Sequence, residues 1–285
     1  METWPDRVVR ALRCPVCGQD LTQAETGLTC VDGHRFDAAR QGYVTLRAGH
    51  GHSLNADTVD MVMARERLQS GGWYLPVADA VASAVAQVAS VEGAGTGLLL
   101  DLAGGTGYYA AAALDALPGW RGIVMDLSTP AVKRAARTHE RAVAVGGDAL
   151  KVLPVVDGAV DIVLSVFGPR VPAEIARIVR PTGALVVVTP LPQHLSELVA
   201  AVDGVQVHEG KSERLAAQFP GWERVLSRDV VTPLALTADA ARDVLAMGPN
   251  AHHVAAETLD ALGAREATLA VRVEALRAPG GGAHD

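Results

Sequence analysis

Aromatic residues are scarce in this chain of 285 residues: Phe, Trp and Tyr together make up 4%. Hydrophobic residues nonetheless reach 49% and charged ones only 20%, so Val, Leu and Ala must fill a sizeable core, and global disorder is excluded. Long apolar runs are lacking as well. None reaches the roughly eighteen residues of a membrane span, and residues 1–15 hold no apolar stretch of the kind that heads a secretory signal. The expectation is a cytoplasmic protein with no membrane partner. A basic excess is also missing. The net charge of −7 argues against broad coating of nucleic acid while leaving room for a local basic patch. Cysteines number three, and an odd count fits a disulfide framework badly.

Those three cysteines are clustered. The run Cys14-Pro-Val-Cys17 is followed, twelve residues on, by Cys30-Val-Asp-Gly-His34. A Cys-x-x-Cys turn places two thiolates on one side of a metal, and a second knuckle offers Cys30 and His34 to complete a tetrahedron. Three sulfurs and an imidazole suit Zn2+. A closed shell of four ligands leaves no position for water, so the site reads as structural, one ion per chain, holding a small module that has little core of its own. A thioredoxin-like Cys-x-x-Cys would follow a strand of a βαβ unit, and a zinc deaminase would need a His-x-Glu partner; neither is visible. The remaining alternative is three ordinary buried thiols.

Beyond the cluster, residues 14 to 30 read as a hairpin. A connector follows, becoming helical from Ala56 with Asp57 or Thr58 as its cap and Gly71-Gly72 as its stop, and a second helix spans Pro76 to Ser90. From Gly97 apolar runs at Leu98–Leu102, Gly122–Met125, Ala142–Val145, Asp161–Val166 and Ala184–Thr189 alternate with helical stretches at Tyr108–Leu117, Pro130–His139 and Pro172–Val179. That rhythm predicts a parallel, doubly wound α/β sheet. Two more strands, near Glu223–Thr232 and Ala267–Leu276, flank helices around Ala238–Ala246 and Ala256–Leu262, which predicts a mostly parallel seven-stranded sheet.

The first of these strands runs into a glycine loop, Asp101-Leu-Ala103-Gly104-Gly105-Thr106-Gly107-Tyr108. Such a loop lets backbone approach a ligand and aims free N–H groups at it. As a dinucleotide fingerprint it fails in its spacing, and Asp101 stands where a pyrophosphate would sit. An acid at that point suits a ligand with positive charge. S-adenosyl-L-methionine carries a sulfonium and an ammonium and no phosphate, and an acidic strand end followed by alternating glycines is the usual first motif of class I (Rossmann-like) methyltransferases. Ala103 replaces the first glycine; it is expected to keep out of positive φ while leaving room for the ligand. Asp126, with Leu127 beside it, ends the second strand, where a carboxylate accepts the hydroxyls of a ribose. Asp148, followed by Ala149, ends the third, where it accepts from an adenine amine. A strand-end Asp is also a common cap or turn former. The fourth strand ends in Val166-Phe167-Gly-Pro-Arg170. Phe167 there suits stacking on a planar base and Arg170 suits an anionic or carbonyl group; a core Phe and a solvated Arg are the alternative. The domain division expected is a zinc-ribbon-like module over residues 1–50, a helical linker over 51–75, a methyltransferase domain over 76–278 and a disordered tail over 279–285.

Several further stretches stand in a familiar order with the knuckles and the glycine loop: Phe36-Asp37-x-x-Arg40-Gln-Gly42-Tyr43-Val44, Asp57-Thr-x-Asp60-Met61-x-x-Ala64-Arg65, Pro190-x-x-His194-Leu195-x-Glu197-Leu198 and Met247-Gly-Pro249. Together they resemble the RlmA/TlrB family over nearly the whole chain. The resemblance implies a 23S ribosomal RNA (guanine-N1)-methyltransferase with an N-terminal zinc domain, and its actinobacterial branch implies a hairpin of domain II as partner and resistance to macrolides. It leaves a homodimer open. Where relatives carry an aromatic residue soon after the Met-x-Pro step, this chain reads Asn250-Ala-His252-His253.

Guanine N1 is protonated at neutral pH, so a base, or a stabiliser of charge developing on O6, is expected. Asp57, Asp60, His194 and His252 are the candidate bases; Arg65 and Arg170 are candidates for polarising O6. A capped, salt-bridged linker helix is the plainer account of Asp57 to Arg65. The arginines of the module are offset by an equal set of acids, so a small-molecule acceptor on the same scaffold is the alternative function, recognisable by a closed apolar pocket in place of a basic strip.

Overall fold

The computed structural model describes residues 4–48, 56–90, 95–202, 211–248, 258–259 and 262–280. The chain opens with a helix too short to show a periodicity, α1 (Asp6–Ala11). A three-stranded antiparallel sheet follows: β1 (Leu21–Ala24), β2 (Gly27–Cys30) and β3 (Arg35–Asp37). The first cysteine pair precedes this hairpin, whose own turn falls at Glu25-Thr26. A two-residue strand, β4 (Val44–Thr45), leads to the helices α2 (Val59–Ser70) and α3 (Leu75–Ser90). Thr58 caps α2 by accepting the Met61 amide at 3.3 Å, and Gly72, at φ 80°, turns the chain into α3.

Strands and helices then alternate as β5 (Leu98–Leu102), α4 (Tyr108–Asp115), β6 (Arg121–Asp126), α5 (Thr129–Ala135), β7 (Ala142–Gly146), β8 (Val160–Val166), α6 (Pro172–Ile178) and β9 (Val179–Pro190). The last elements are α7 (Ser196–Ala201), α8 (Lys211–Gln218), β10 (Glu223–Leu236), α9 (Ala238–Ala246) and β11 (Arg265–Arg277). The helix expected at Ala256–Leu262 falls mostly outside the described residues, as does the tail beyond residue 280. The main sheet has the order β10-β11-β9-β8-β5-β6-β7-β4. From β4 to β9 neighbouring strands are parallel, and β11 runs antiparallel to both its neighbours. Seven of these strands make the class I frame; the eighth is β4, lent by the N-terminal module and paired through Val44 with Val145. Among the described residues no helix is long and apolar enough to cross a membrane.

The sheet is covered unequally on its two faces. Alternation along β5 sends Leu99 to one face, where α3, α4, α5 and α9 pack, and sends Leu98, Leu100 and Leu102 to the other. On that second face α6 and α8 cover only part of the sheet, and residues 147–159, between β7 and β8, form no helix. The N-terminal module closes the gap. Val8, Val9, Leu12, Leu28 and Leu46 join Leu100, Ile123 and Val145 in one core, and each such side chain, fully buried, contributes about 1.5–3 kcal/mol. Backbone bonds tie the module down, from Arg13 N–H to the Pro154 carbonyl at 3.1 Å and from Val156 N–H to the Ala11 carbonyl at 2.9 Å. The cysteine knuckles thus belong to a layer of the main core.

Candidate metal centre and active site

Two tight turns build the metal centre. Gly18, at φ 75°, closes the first knuckle by donating its N–H to the Cys14 carbonyl, and Gly33, at φ 82°, closes the second onto the Cys30 carbonyl. Cys14, Cys17, Cys30 and His34 thereby bring their four ligand atoms within 4.8 Å of one another. Cys17 Sγ and Cys30 Sγ stand 3.7 Å apart, and Cys30 Sγ lies 3.4 Å from His34 Nδ1. Tetrahedral zinc with its usual bond lengths requires edges of about 3.8 Å between sulfurs and about 3.6 Å from sulfur to nitrogen. A disulfide would need a separation of about 2.05 Å. The donor set therefore fits a resident zinc ion held by three thiolates and an imidazole.

The glycine loop leaves the carboxyl end of β5. Ala103 and Gly105 both have φ 57° and Gly107 has φ 80°. An alanine is expected to avoid this region; the chain's sharp turn off β5 forces Ala103 into it, at a cost of about 1–2 kcal/mol. Gly104 lies directly over Asp101, and a Cβ there would fall 2.6 Å from the carboxylate carbon. Asp101 itself is 1% exposed, and among the described residues neither of its oxygens is within good hydrogen-bond geometry of a donor. Burial, then the neighbouring charge of Asp126, pushes its pKa up to about 7, against the lowering effect of the nearby Ala110 amide. A buried carboxylate without a partner is costly unless a cation arrives to meet it. The ammonium group of S-adenosylmethionine has that charge.

Asp126 is differently placed. It accepts the Gly105 N–H and the Ser128 N–H, each at 2.8 Å. Burial raises its pKa, while the amides of Ser128 and Gly105 pull it back. A carboxylate accepts about four hydrogen bonds, so capacity remains for two hydroxyls of a ribose. Asp148 accepts the Leu150 amide at 2.9 Å through Oδ1. Leu127 and Ala149 follow these acids along the same edge, and Tyr108 opens α4 beside the loop.

Helix α2 lies across the loop. Thr106 donates to Gln69 at 2.7 Å, and a Cβ on Gly105 would come within 3.4 Å of the Arg65 guanidinium. Arg65 donates to the Asp57 carboxylate and, at 2.9 Å, to the Met247 carbonyl. Asp57 Oδ2 is held in an ion pair and the residue's own carbonyl accepts from Ser128 Oγ, an arrangement that positions α2. Asp60 is exposed in the first turn of α2. Pro249 and His252 lie outside the described residues.

The acceptor side forms where β8 ends. Val166 is buried, whereas Phe167 is 41% exposed and is held at φ 58°. Gly168 is required next to it, since a Cβ there would sit 2.9 Å from Ala103 Cβ. The Phe167 ring stacks on His194, with centroids 5.8 Å apart, and takes edge contacts from Tyr74 and Tyr109, both at 6.4 Å. His194 Nδ1 accepts the Ala270 amide at 3.1 Å, so in the neutral ring the proton sits on Nε2. The ring is thereby fixed against Phe167. Arg170 is half-buried, and its Nε has no hydrogen-bond partner among the described residues; burial lowers its pKa, against the raising effect of Glu274. With Phe167, Thr189 and Gln218 it lines an open cavity of about 210 Å³. A shallower groove of about 440 Å³ beside α1 lies elsewhere, and its charged residues are already engaged, Arg7 with Asp161 and Arg10 with Asp6.

Comparison with known proteins agrees with this geometry. Residues 12–47 match a family model described as "RlmA, N-terminal", and residues 99–183 match one described as "Methyltransferase domain". A 23S rRNA (guanine(748)-N(1))-methyltransferase of Streptomyces fradiae is 43% identical over 271 residues, covering 93% of this chain and 95% of the relative. The chain belongs to that family. A Micromonospora griseorubida protein is 39% identical, with 94% of this chain and 92% of the relative aligned. The enzyme is therefore an S-adenosylmethionine-dependent methyltransferase with an RlmA-type zinc ribbon. Two residues at its site, Gln69 and Tyr74, were not singled out by sequence reasoning. The signal for Tyr74 was present: an aromatic pair, Trp73-Tyr74, placed directly after a double-glycine helix stop in a chain poor in aromatics.

Proposed function

We propose that the enzyme methylates N1 of a guanine in a hairpin of domain II of 23S rRNA, and that the modification confers macrolide resistance in the cytoplasm of its host. The observation that carries this reading is the juxtaposition of an unpartnered, buried Asp101 with an exposed ring, Phe167, at the ends of adjacent strands. One site receives a cationic donor; the other receives a planar acceptor from an open surface, as a base flipped from an RNA loop would arrive. When bound, S-adenosylmethionine supplies an electrophilic methyl group on a sulfonium.

The chain's own residues do the aligning. Asp101 would hold the ammonium group, Asp126 the ribose and Asp148 the adenine amine, with Ala103, Gly104, Gly105, Gly107, Tyr108, Leu127, Ala149 and Val166 shaping the cradle. Phe167 and His194 would stack on the base, and Arg170 would take a carbonyl or phosphate oxygen from the cavity beside them. Arg65 and Asp57 would keep α2 in place over the loop. Catalysis of this kind rests mainly on holding donor and acceptor at contact distance. The division of the chain proposed here keeps residues 1–50 as the zinc module, 51–75 as linker, 76–278 as catalytic domain and 279–285 as tail. The exposed edge at β10 leaves room for a second copy.

The test is transfer of a labelled methyl group to unmodified 23S rRNA, with the product nucleoside identified by mass spectrometry. N1-methylguanosine in a domain II hairpin is the expected product. Absence of transfer, from protein that binds both zinc and S-adenosylmethionine, would direct the search to a small-molecule acceptor.

A further inference from the structure

Tyr74 stands between α2 and α3, just after the Gly71-Gly72 turn, and its side chain is 2% exposed. Its hydroxyl is buried and has no hydrogen-bond partner among the described residues. Buried tyrosines normally pair that group, and leaving it unpaired costs about 1–3 kcal/mol. Burial raises the phenol pKa, and the nearby Arg65 guanidinium only partly offsets this, so the proton stays on the oxygen.

The surroundings indicate what the hydroxyl awaits. Tyr74 touches the edge of Phe167 at 6.4 Å and 81°, and Tyr109 touches the same ring at 6.4 Å and 69°. Phe167 is the exposed member of this group and is held in a strained backbone conformation, a feature that accumulates at ligand sites. The Tyr74 ring therefore belongs to the cluster built around Phe167, the ring on which a planar acceptor would stack, and its closed-off hydroxyl lies behind that exposed ring.

We propose that the Tyr74 hydroxyl donates a hydrogen bond to the carbonyl oxygen of the acceptor base, O6 of guanine, next to the nitrogen that receives the methyl group. This rests on the reading of the acceptor as a guanine. In the step concerned the N1 proton passes to water, the N1 lone pair forms the new N–C bond, and the electrons of the broken C–S bond return to sulfur. Charge shifts from N1 onto O6 as the proton leaves, and a donor fixed in place stabilises it without reorganisation.

The experiment uses full-length, zinc-loaded Tyr74→Phe beside the wild type, with a domain II hairpin transcript as acceptor. Expected results are an apo Tm equal to or above that of the wild type, affinity for S-adenosylhomocysteine within twofold, and kcat lower by about 100-fold with little change in KM. With 6-thioguanosine at the target position, whose sulfur is a poor acceptor, the gap between wild type and variant should shrink. A kcat within threefold of wild type overturns the proposal. So does a loss accompanied by weaker S-adenosylhomocysteine binding or a lower apo Tm, which would assign the hydroxyl to the cofactor or to the fold. If the wild type itself methylates no RNA, the reading of the acceptor falls and this inference falls with it; a wild type active on RNA beside an equally active variant removes the inference alone.

Discussion

Two buried aspartates on adjacent strands have opposite surroundings. Asp161, at the start of β8, is 3% exposed and fully engaged: Oδ2 accepts the Leu98 amide at 2.6 Å and the Arg7 guanidinium at 2.7 Å, and Oδ1 faces Arg180 at 2.5 Å. Asp101, at the end of β5, is as deeply buried, and neither oxygen has a well-formed hydrogen bond among the described residues. The first stitches the amino ends of the strands to α1 of the zinc module. The second faces the edge where the glycine loop, the strained Phe167 and the unpaired Tyr74 hydroxyl also lie. One sheet thus spends its polar groups on its own fold at one end and withholds them at the other, and withheld polar groups mark where ligands arrive.

The largest effect expected from breaking this contrast comes from the metal. Chelation, or Cys30→Ser, should unfold the module that carries Arg7 and lower the thermal midpoint by more than about 10 °C, as followed by calorimetry. Asp161→Ala should cost about 3 kcal/mol in urea unfolding, because two guanidinium groups and a strand amide lose their shared acceptor.

Asp101→Asn should have the reverse sign in the apo protein. The Asp101 carboxyl ionises from an ordinary value of 3.8 in the open chain and near 7 in the fold, so the folded state holds the extra proton between these values. Stability of the wild type is then expected to fall as pH rises from about 4 to about 7 and to level off above, by about 4 kcal/mol in all. The variant should lose that slope and be the more stable form at pH 8, as urea titrations at pH 5 and pH 8 would show. The smallest effect is at Ala103, where glycine relieves the positive φ and should add about 0.5–1 kcal/mol.

Much of the fold is legible in the residues because parallel strands covered on both faces read as plain apolar runs; β5 falls on Leu98–Leu102 as expected. The metal ligands are legible for a different reason, since their spacing along the chain sets their geometry. What was hidden depends on tertiary pairing. Two residues, Val44 and Thr45, form a strand only because β7 offers an edge. Asp57 reads as a possible base, and its pairing with Arg65, eight residues on, appears only in the fold. His194 reads likewise, and its bond from the Ala270 amide joins residues far apart in the chain. The conformation of Ala103 follows from a turn that no local pattern announces, and the orphaned hydroxyl of Tyr74 is a property of what fails to surround it.

If Asp101 is held for a cationic ligand, its charge must contribute to binding. Calorimetric titration of S-adenosylhomocysteine, which retains the ammonium group, into wild type and Asp101→Asn at pH 8 measures this. A charge-assisted hydrogen bond of about 1.5–3 kcal/mol predicts binding weaker by roughly 10- to 100-fold in the variant, with the apo fold intact. Equal affinity in the two proteins would contradict it.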